Sequence, residues 1–558
     1  MPTPRESSSF LADLYRGRFN RPLFEAFTPP VAAPATIRLI QAFADLCRAY
    51  PAAELERQGT LPDELRQELA QLGLFGLNIP REYGGLGLTL SQYLLVLQDL
   101  AAFDLALAII PTAHLSIGVK GLLLFGSAEQ KHRYLPRAAS GEMLFAYALT
   151  EPEIGSDAQH ITTSATLTAD GESYILNGRK SYITNGGYAG GLTLFAQMNP
   201  ARPGFLGAFI VETATPGVKI GKAMPKMGLT ISSTTTITFD QVRVPRENLL
   251  GAPGDGFKIA MTILNYGRLG LGAASAGAMA QSLVEMKKRA ASRTQFGRPI
   301  GDFELIRAKL VQARVHGAVA AAMTAFTAHL LERDPTGNLA IESSHTKLFG
   351  TTRAWETLNE AMQTAGGAGY LATLPYEKRL RDFRVTTIFE GTSEIHTIYP
   401  ALQLLRLSGA NGPSPRAALV GLAARLGRRL HLGPLGRAPE VRRAVRHVRR
   451  ATRRINLLLA WGMVRHGRRL PERELFLGRI TGISFHLYGL LCLLAMLAAR
   501  YREGQVDQGR ELRQLDYFLA EAEENLRRDG CLGLGARERL LAGVFSDLSG
   551  DGAPTVGG

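Results

Sequence analysis

Hydrophobic residues in the first part of the chain recur at three- and four-residue spacing. This spacing extends over 37–124 and is clear in the segments LPDELRQELAQLG and LSQYLLVLQDLAAF. Because residues three and four apart lie on one face of an α-helix, the pattern predicts a series of amphipathic helices. We therefore predict a helical domain at 37–145, preceded by a polar, proline-containing lead-in at 1–36.

A different pattern begins near residue 146. Short β-rich runs such as ATLTA, GAFIVE and TTTITFDQVRV are separated by Gly, Asn and Pro, which is typical of strands joined by turns. Long helical patterns return from residue 256, and SGANGPSP at 408–415 indicates a linker. The chain is therefore predicted to be mainly α-helical with a central β-barrel or β-sandwich. The predicted divisions are a β-domain at 146–250, a helical bundle at 251–407 and an additional basic helical domain at 408–558.

Composition narrows the class of protein. The 558 residues are 46% hydrophobic and 20% charged, an ordinary globular balance. The three cysteines, Cys47, Cys492 and Cys531, form no CxxC motif, so neither a disulfide framework nor a zinc site is indicated.

The first twenty residues lack the apolar core of a signal peptide, and we expect a cytoplasmic protein. The apolar stretch at 480–499 is long enough to span a bilayer, but its polar interruptions favour a buried helix.

The net charge of +15 is concentrated in one segment. Residues 416–469 contain fifteen arginines and a single acid, Glu440. Within 441–459, apolar residues recur at helical spacing between the arginines, which predicts a basic amphipathic helix, and 419–432 has a similar character. Such a helix is typical of peripheral contact with an anionic membrane. The alternative is that its apolar face packs on the final domain. Without interleaved aromatic residues, nucleic-acid binding is not favoured.

Three segments are candidates for chemistry, since common nucleotide and metal motifs are absent. ALTEPEIGSD at 148–157 and SYITNGG at 181–187 are either cofactor-binding loops or ordinary turns. In the third, Glu390 lies between Phe389 and Gly391. Burial there would raise its pKa toward the range of a general base. The alternative is an acidic residue at a helix start capped by Thr392.

Taken together, the motifs resemble one family. ALTEPEIGSD, SYITNGG, RTQFGRPI, QTAGGAGY, RDFR and IFEGTSEI occur in this order, and each is similar to a motif of the acyl-CoA dehydrogenases. The resemblance covers about 35–405, while the longer chain and the segment ILNYGRLGLGAASAGAM resemble the very-long-chain branch. It implies an acyl-CoA dehydrogenase-like fold of helical domain, β-domain and helical bundle, and a flavoprotein oxidoreductase of fatty-acid β-oxidation.

The resemblance also implies FAD as the cofactor. The residues matched to the flavin end are Tyr147, Leu149, Thr150, Gly155, Ser156, Tyr182, Ile183 and Thr184. Those matched to the ADP half, across a subunit interface, are Arg293, Thr294, Gln295, Phe296, Gln363, Thr364, Ala365, Gly366 and Gly367. The cofactor site is completed by Thr392, Ser393 and Glu394.

By the same resemblance, Glu390 is the catalytic base that removes the α-proton of an acyl-CoA. The implied substrate contacts are Ser156, Asn265, Tyr266, Gly267, Arg268 and Gly391, and no metal is expected. We also place Gly118 and Gly121 on one helix face, where they would leave a deep channel for a long acyl chain or, alternatively, allow close packing. The implied partners are long-chain acyl-CoA, electron transfer flavoprotein and a second copy in a homodimer.

Three departures from the family pattern affect the expected site. Tyr182 stands where Trp is usual, Ser393 replaces a frequent Asn, and Thr397 replaces a common Arg. None of the three replaces the predicted base, but they leave open which electron acceptor and which substrate the protein uses. An acyl-CoA oxidase that uses oxygen, and a scaffold or assembly protein with the same fold, are therefore the alternative functions.

Overall fold

The computed structural model describes residues 9–407, 436–504, 508–533 and 540–541. Within this part, the chain forms two compact units. The first comprises Pro29–Ser393, and the second comprises 9–28 together with the described residues from Glu394 onward. The lead-in predicted at 1–36 and the bundle predicted to end at 407 are therefore each shared between units.

The described α-helices are numbered in chain order. They are α1 Phe10–Tyr15, α2 Arg21–Glu25, α3 Pro34–Ala49, α4 Ala52–Gln58, α5 Asp63–Gln71, α6 Leu90–Phe103, α7 Leu105–Ala113, α8 Lys120–Phe125, α9 Ala128–Ala139, α10 Gly256–Ser292, α11 Glu304–Arg333, α12 Ala340–Ala365, α13 Gly367–Tyr370, α14 Tyr376–Arg384, α15 Ser393–Leu407, α16 Pro439–His466, α17 Glu474–Arg502 and α18 Gln508–Asp529. A π-helix, His114–Gly118, lies between α7 and α8.

The strands form one large sheet and a small hairpin. They are β1 Leu144–Ala148, β2 Ser164–Leu167, β3 Ser173–Ile183, β4 Ala189–Gln197, β5 Leu206–Glu212, β6 Val218–Ile220, β7 Thr235–Pro245, β8 Leu249–Gly254, β9 Thr294–Gln295 and β10 Arg298–Pro299. The sheet order is β6-β7-β3-β2-β4-β5-β8, with β1 parallel to β4, and β9 pairs with β10. The central β-domain predicted from the short runs is confirmed.

Local sequence explains where the helices begin and how closely they pack. Thr89 starts α6 with a reciprocal capping box to Gln92, which satisfies two backbone N–H groups at the helix start. The long helix α10 packs against α6, α11 and α12. It requires Gly272 because an added Cβ would lie 2.6 Å from Thr346 Cγ2. The small residue therefore lets the central helices of the bundle approach each other.

In the β-domain, alternating residues of several strands form one apolar core. Leu192 and Leu194 of β4, Phe209 of β5 and Val242 of β7 are fully buried. Since successive strand residues point to opposite faces, this alternation fixes the strand register. The same sheet brings the end of β1 and the end of β3 together, which positions two of the candidate motifs.

The second unit contains α1, α2 and the C-terminal helices. Tyr15 of α1 shares a 2.6 Å hydrogen bond with Ser484 of α17, and Asn456 of α16 donates to the Tyr15 carbonyl at 2.9 Å. The lead-in is therefore structured where we predicted only a polar segment. These helices are five or six residues long, too short to show a periodic pattern.

The long apolar segment of the second unit is largely buried. Two stretches of the described chain, Leu105–Phe125 in the first unit and Glu474–Arg502 here, are long and apolar enough to cross a membrane, but 83% and 78% of their apolar windows are buried. In α16, Val441, Val448 and Ile455 are at most 2% exposed. The predicted amphipathic helix exists at 439–466, and its apolar face packs in the protein, so it is not free to enter a membrane. The similar stretch at 419–432 lies outside the described residues.

Candidate active site

Glu390 lies on a tight turn between a 3₁₀ helix, Val385–Thr387, and α15. Its φ is +57°, and that of Gly391 is +95°, so two consecutive residues are left-handed. A glutamate in this region carries a strain of about 1–3 kcal/mol, which surrounding contacts must offset. The turn directs successive backbone carbonyls to different neighbours and holds the Glu390 side chain against α10.

Two buried cations from different helices hold this turn. Arg268 of α10 donates from Nε to the Glu390 carbonyl oxygen at 3.4 Å. Lys347 of α12 donates from Nζ to the Gly391 carbonyl oxygen at 2.7 Å. Arg268 is 6% exposed and Lys347 is fully buried. The strained turn is therefore tied to both central helices of the bundle.

A polar link joins the two helices beside the turn. Asn265 Oδ1 accepts hydrogen bonds from Ser343 Oγ at 2.7 Å and from Arg268 Nη1 at 3.4 Å. All three residues are buried. Because buried polar groups are stable only when hydrogen-bonded, this arrangement fixes the orientation of the Arg268 guanidinium.

Burial dominates the acid–base chemistry of Glu390. The residue as a whole is half-buried, but its Oε2 atom is inaccessible to solvent. Burial raises the pKa of Glu390 to about 7, although the charges of Arg268 and Lys347 act in the opposite direction. Burial, with the nearby Glu390 charge, also raises the pKa of Tyr147 well above its ordinary value. The carboxyl thus has the affinity for a proton that a general base needs near neutral pH.

Gly267 leaves the space that the Glu390 carboxylate occupies. A Cβ at this position would lie 2.7 Å from Glu390 Oε2 and 2.9 Å from Ile117 Cγ2. Gly267 and Arg268, two of the residues predicted to contact the substrate, therefore lie beside Glu390, and Ile117 of the π-helix is an additional neighbour.

The first motif loop is anchored by a buried ion pair. Lys180 Nζ donates to Glu151 Oε1 at 2.8 Å and to the Leu149 carbonyl at 2.9 Å. Glu151 also accepts from the backbone N–H groups of Thr162 and Thr163 and from the Thr162 hydroxyl. Burial alone would raise the pKa of Glu151, but Lys180 and these donors lower it to about 2. Burial lowers the pKa of Lys180 to about 8, against the effect of Glu151.

This anchor brings the first and second motifs together. The Ser181 N–H donates to the Thr150 carbonyl at 2.9 Å. Tyr182 and Thr184 project outward on either side of buried Ile183, and Tyr182 is 63% exposed with φ +58°. Gly155 and Ser156 are exposed on the adjacent loop. The residues matched to the flavin end of FAD therefore lie on neighbouring backbone segments. Gly155, Ser156 and Tyr182 are exposed, Tyr147, Thr150 and Thr184 are half-buried, and Leu149 and Ile183 are buried.

The residues matched to the ADP half form a second exposed group. Arg293, Thr294, Gln295 and Phe296 are all exposed, and Phe296 reaches 93%. The segment at 363–367 is exposed at Gln363, Gly366 and Gly367, with Thr364 and Ala365 buried between them. Arg289 links the two by donating to the Ala365 carbonyl at 3.2 Å.

Comparison with known families decides the identity of the chain. Models for the N-terminal, middle and C-terminal domains of acyl-CoA dehydrogenases match 36–142, 146–242 and 254–404. The chain belongs to the acyl-CoA dehydrogenase family. The human very long-chain specific acyl-CoA dehydrogenase, mitochondrial, is 34% identical and the match covers 94% of this chain and 84% of that protein. An acyl-CoA dehydrogenase of Bacillus subtilis is 40% identical over 64% of this chain and 93% of its own.

Solved structures agree with this assignment. An acyl-CoA dehydrogenase from Bacillus anthracis complexed with FAD superimposes with a TM-score of 0.80, at 28% identity, over 96% of this chain and 94% of that one. The predicted fold and the predicted cofactor, FAD, are confirmed, and the protein is an acyl-CoA dehydrogenase of the very-long-chain-like branch. The predicted cofactor positions leave room for a bound group to approach the backbone, because a Cβ added at Gly155, Gly366 or Gly367 would meet no atom within 4 Å.

The channel predicted at two glycines of this acyl-CoA dehydrogenase needs correction. Gly118 ends the π-helix, and a Cβ there would lie 2.5 Å from the Phe145 carbonyl oxygen. A Cβ at Gly121 would lie 3.1 Å from Ile263 and 3.3 Å from Leu250. Neighbouring atoms fill the space beside both glycines, so the structure supports close packing, the alternative interpretation, and not an open channel.

The remaining predicted positions have simpler environments. Thr392 and Ser393 are half-buried after the base, and Ser393 Oγ donates to the Thr387 carbonyl at 3.2 Å. Glu394 is exposed in the second unit. In that unit Thr397, where an Arg is common, packs closely on α17, since a Cβ at Gly478 would lie 2.9 Å from Thr397 Cγ2. The small side chain suits the added helices.

Two buried lysines near the site were not predicted from sequence. Lys347 contacts the base-bearing turn, and Lys120 lies 4.8 Å from the centre of the Tyr266 ring while only 6% exposed. The sequence offers one indication of such residues, a single Lys inside an otherwise apolar or small-residue run, as in IESSHTKLFG and SIGVKGLLLFG. Within the described chain, no group of three or more metal-ligating side chains lies together.

Proposed function

We propose that this acyl-CoA dehydrogenase oxidises long-chain fatty acyl-CoA at Cα and Cβ to trans-2-enoyl-CoA in fatty-acid β-oxidation. The observation that carries the proposal is the carboxyl of Glu390, which is buried at a strained turn with a pKa of about 7. An α-proton of a thioester is weakly acidic, and a base of this strength can accept it near neutral pH.

Residues of the protein would accept the α-proton and stabilise the negative charge that develops on the substrate. Glu390 would remove the α-proton, and its backbone N–H would donate to the thioester carbonyl as enolate-like charge develops. Asn265 and Arg268, held by Ser343 and by the Glu390 carbonyl, would orient the substrate beside the base. Bound FAD supplies the acceptor for the β-hydride. Tyr266, Ser156 and Gly391 complete the proposed substrate contacts.

The proposed cofactor contacts follow the two exposed groups. Residues 147–156 and 182–184 would hold the flavin end of FAD, with 392–394 completing the site. Residues 293–296 and 363–367 would hold the ADP half from a neighbouring copy, which supports a homodimer. An Arg such as Arg293 suits a pyrophosphate, and the Gly366–Gly367 backbone allows its close approach.

The preference for long chains rests on the relatives. Human and macaque proteins named very long-chain specific acyl-CoA dehydrogenase each match 94% of this chain. The two glycines contribute nothing to this preference, since neighbours fill the space beside them. Electron transfer flavoprotein is the proposed acceptor. An oxidase that passes electrons to oxygen is the alternative, and rapid reoxidation of the reduced protein in air would favour it.

The proposed membrane contact is limited to the exposed arginines of α16. The apolar face of α16 is buried, while Arg442, Arg446 and Arg453 are exposed. A cytoplasmic protein could therefore meet an anionic surface through ionic contact only, which salt would weaken. Co-sedimentation with anionic vesicles at low and high salt tests this.

The direct test is anaerobic bleaching of the protein-bound flavin by acyl-CoAs of increasing chain length. We expect bleaching with long acyl chains at the highest efficiency and trans-2-enoyl-CoA as product. Absence of bleaching by every acyl-CoA would contradict the proposed dehydrogenation. Equal efficiency for short and long chains would contradict the long-chain preference alone.

A further inference from the structure

Lys347 is a buried lysine that the proposed reaction does not yet use. It lies in the second turn of α12, within a run of residues that are all buried, and it is fully inaccessible to solvent. A lysine is rarely placed in such a position unless its ammonium group has a defined partner. Its Nζ donates to the carbonyl oxygen of Gly391, the residue directly after the base.

We infer that Lys347 is a positioning residue that clamps the turn carrying Glu390 and sets the proton affinity of its carboxylate. The inference rests on the proposed role of Glu390 as the base. Lys347 itself touches no reacting atom in this account and acts through the turn and through its charge.

The clamp acts on backbone geometry. Glu390 and Gly391 are both left-handed, a conformation that glutamate rarely adopts. The two carbonyls of this pair each receive a buried cationic donor, Arg268 on Glu390 and Lys347 on Gly391. Since the donors come from α10 and α12, and the Ser343–Asn265 hydrogen bond joins these helices, the turn is held from two sides.

The charge adds an effect that a neutral donor would not give. The charged groups that act on Glu390 are Arg268 from α10 and Lys347 from α12. Tyr147 from β1 is affected in turn by Glu390 and by Arg268. The two cations oppose the increase in the Glu390 pKa that burial produces. A serine or glutamine could satisfy one carbonyl without burying a charge, so the choice of lysine favours an electrostatic role.

The expected changes have a definite sign. Removing a nearby cation destabilises the carboxylate, so the pKa of Glu390 rises, by about one unit for an opposite charge at short range. A smaller fraction of the base is then ionised at neutral pH. For Lys347→Met we expect flavin reduction by acyl-CoA to fall about fivefold at pH near 7 and to recover as the pH is raised.

The test measures the proton affinity of Glu390 without requiring turnover. The carbonyl stretch of its protonated side chain is recorded by infrared spectroscopy across pH in the FAD-loaded protein, with the Glu390→Gln spectrum subtracted. Lys347→Met and Lys347→Gln remove the charge, Gln retains a donor, and Lys347→Arg retains both. Lys309→Met is the matched control, since Lys309 of α11 pairs with Glu360, which lies near the other end of α12 from Lys347.

We expect a raised Glu390 pKa in both neutral variants, a value near that of the wild type in Lys347→Arg, and no change in Lys309→Met. An unchanged pKa in FAD-loaded Lys347→Gln would overturn the inference, as would an equal shift in the control. If Lys347→Met does not fold, comparison of the Glu390 pKa in Lys347→Gln and Lys347→Arg still tests the inference. A wild-type protein whose flavin no acyl-CoA bleaches would contradict the proposed function, while the infrared titration would still measure the effect of Lys347.

Discussion

Two glutamates of the first unit have carboxyl oxygens buried near buried lysines, yet their acid–base properties are opposite. Glu151, under the first motif loop, has a pKa of about 2, and Glu390, on the turn before α15, has a pKa of about 7. The difference lies in where the donors point. Lys180 donates directly to the Glu151 carboxylate, whereas Lys347 donates to a backbone carbonyl beside Glu390.

This difference separates a structural carboxylate from a chemical one. Donors aimed at a carboxylate stabilise its charge and make it a poor base. Donors aimed at the neighbouring backbone fix the position of a carboxylate while leaving burial to raise its proton affinity. Pairs of acids with pKa values moved apart by their surroundings are a common means of assigning catalytic roles.

The largest effect is expected from removing the base. Glu390→Gln is nearly isosteric but cannot accept the α-proton, so the rate of flavin reduction should fall by about 10²–10⁴-fold while FAD remains bound. Stopped-flow absorbance under anaerobic conditions measures it. Glu172→Gln, at an exposed position of the β-domain, is the control and should retain the wild-type rate. A Glu390→Gln variant with near-normal turnover would remove Glu390 from the mechanism.

The next largest effect is expected at the structural pair. Lys180→Met leaves the Glu151 carboxylate buried without its cation, and breaking such a pair destabilises a protein by about 3–5 kcal/mol. Denaturant unfolding of the FAD-loaded protein measures the loss, and FAD retention should fall because the loop at 148–157 loses its anchor.

An exposed ion pair provides the comparison for that experiment. Lys219 and Asp240 are 71% and 64% exposed, so Lys219→Met should leave unfolding unchanged. Equal stability of Lys180→Met and Lys219→Met would contradict the structural role of the buried pair. The wild type should also lose stability as pH falls from the ordinary glutamate pKa of 4.5 toward about 2, because the protonated Glu151 loses its pairing.

A smaller effect is expected at Gly121. Gln at this position must displace Ile263, Leu250 or Thr193, and overpacking of this kind destabilises a protein by about 1–3 kcal/mol. Thermal unfolding measures it. Gly317→Gln is the matched control, since only Met279 lies within 4 Å of a Cβ there. A change in chain-length preference at unchanged stability would restore the channel interpretation of Gly118 and Gly121.

Much of the fold follows from local sequence pattern. Helical spacing and short β-rich runs predict the order of helical region, β-domain and helical bundle, because each element is long enough to show its period. At Glu390, the aromatic and β-branched neighbours indicate a partly buried acid, but an acid at a helix start fits the same local sequence, and only the resemblance of the six motifs assigns it as the base.

The features that were missed depend on contacts between distant residues. The helices α1 and α2 are too short to show a period, and their burial comes from α16 and α17 of the same unit. The space predicted as a channel beside Gly118 and Gly121 is filled by Phe145, Ile263 and Leu250, which are distant in sequence. Because Lys347 is charged, the sequence predicts that it faces solvent. Its burial depends on its contact with the turn at Gly391, which is distant in sequence.

The most direct test of the account is the pH dependence of flavin reduction by the wild-type protein at low acyl-CoA concentration, under anaerobic conditions. At low substrate the rate reports the ionisation of the free enzyme. If Glu390 is the base, the rate rises with pH through a midpoint near the Glu390 pKa of about 7, and Glu390→Gln loses that step. A rate independent of pH through neutrality, or the same step in Glu390→Gln, would contradict the assignment of this carboxyl as the base.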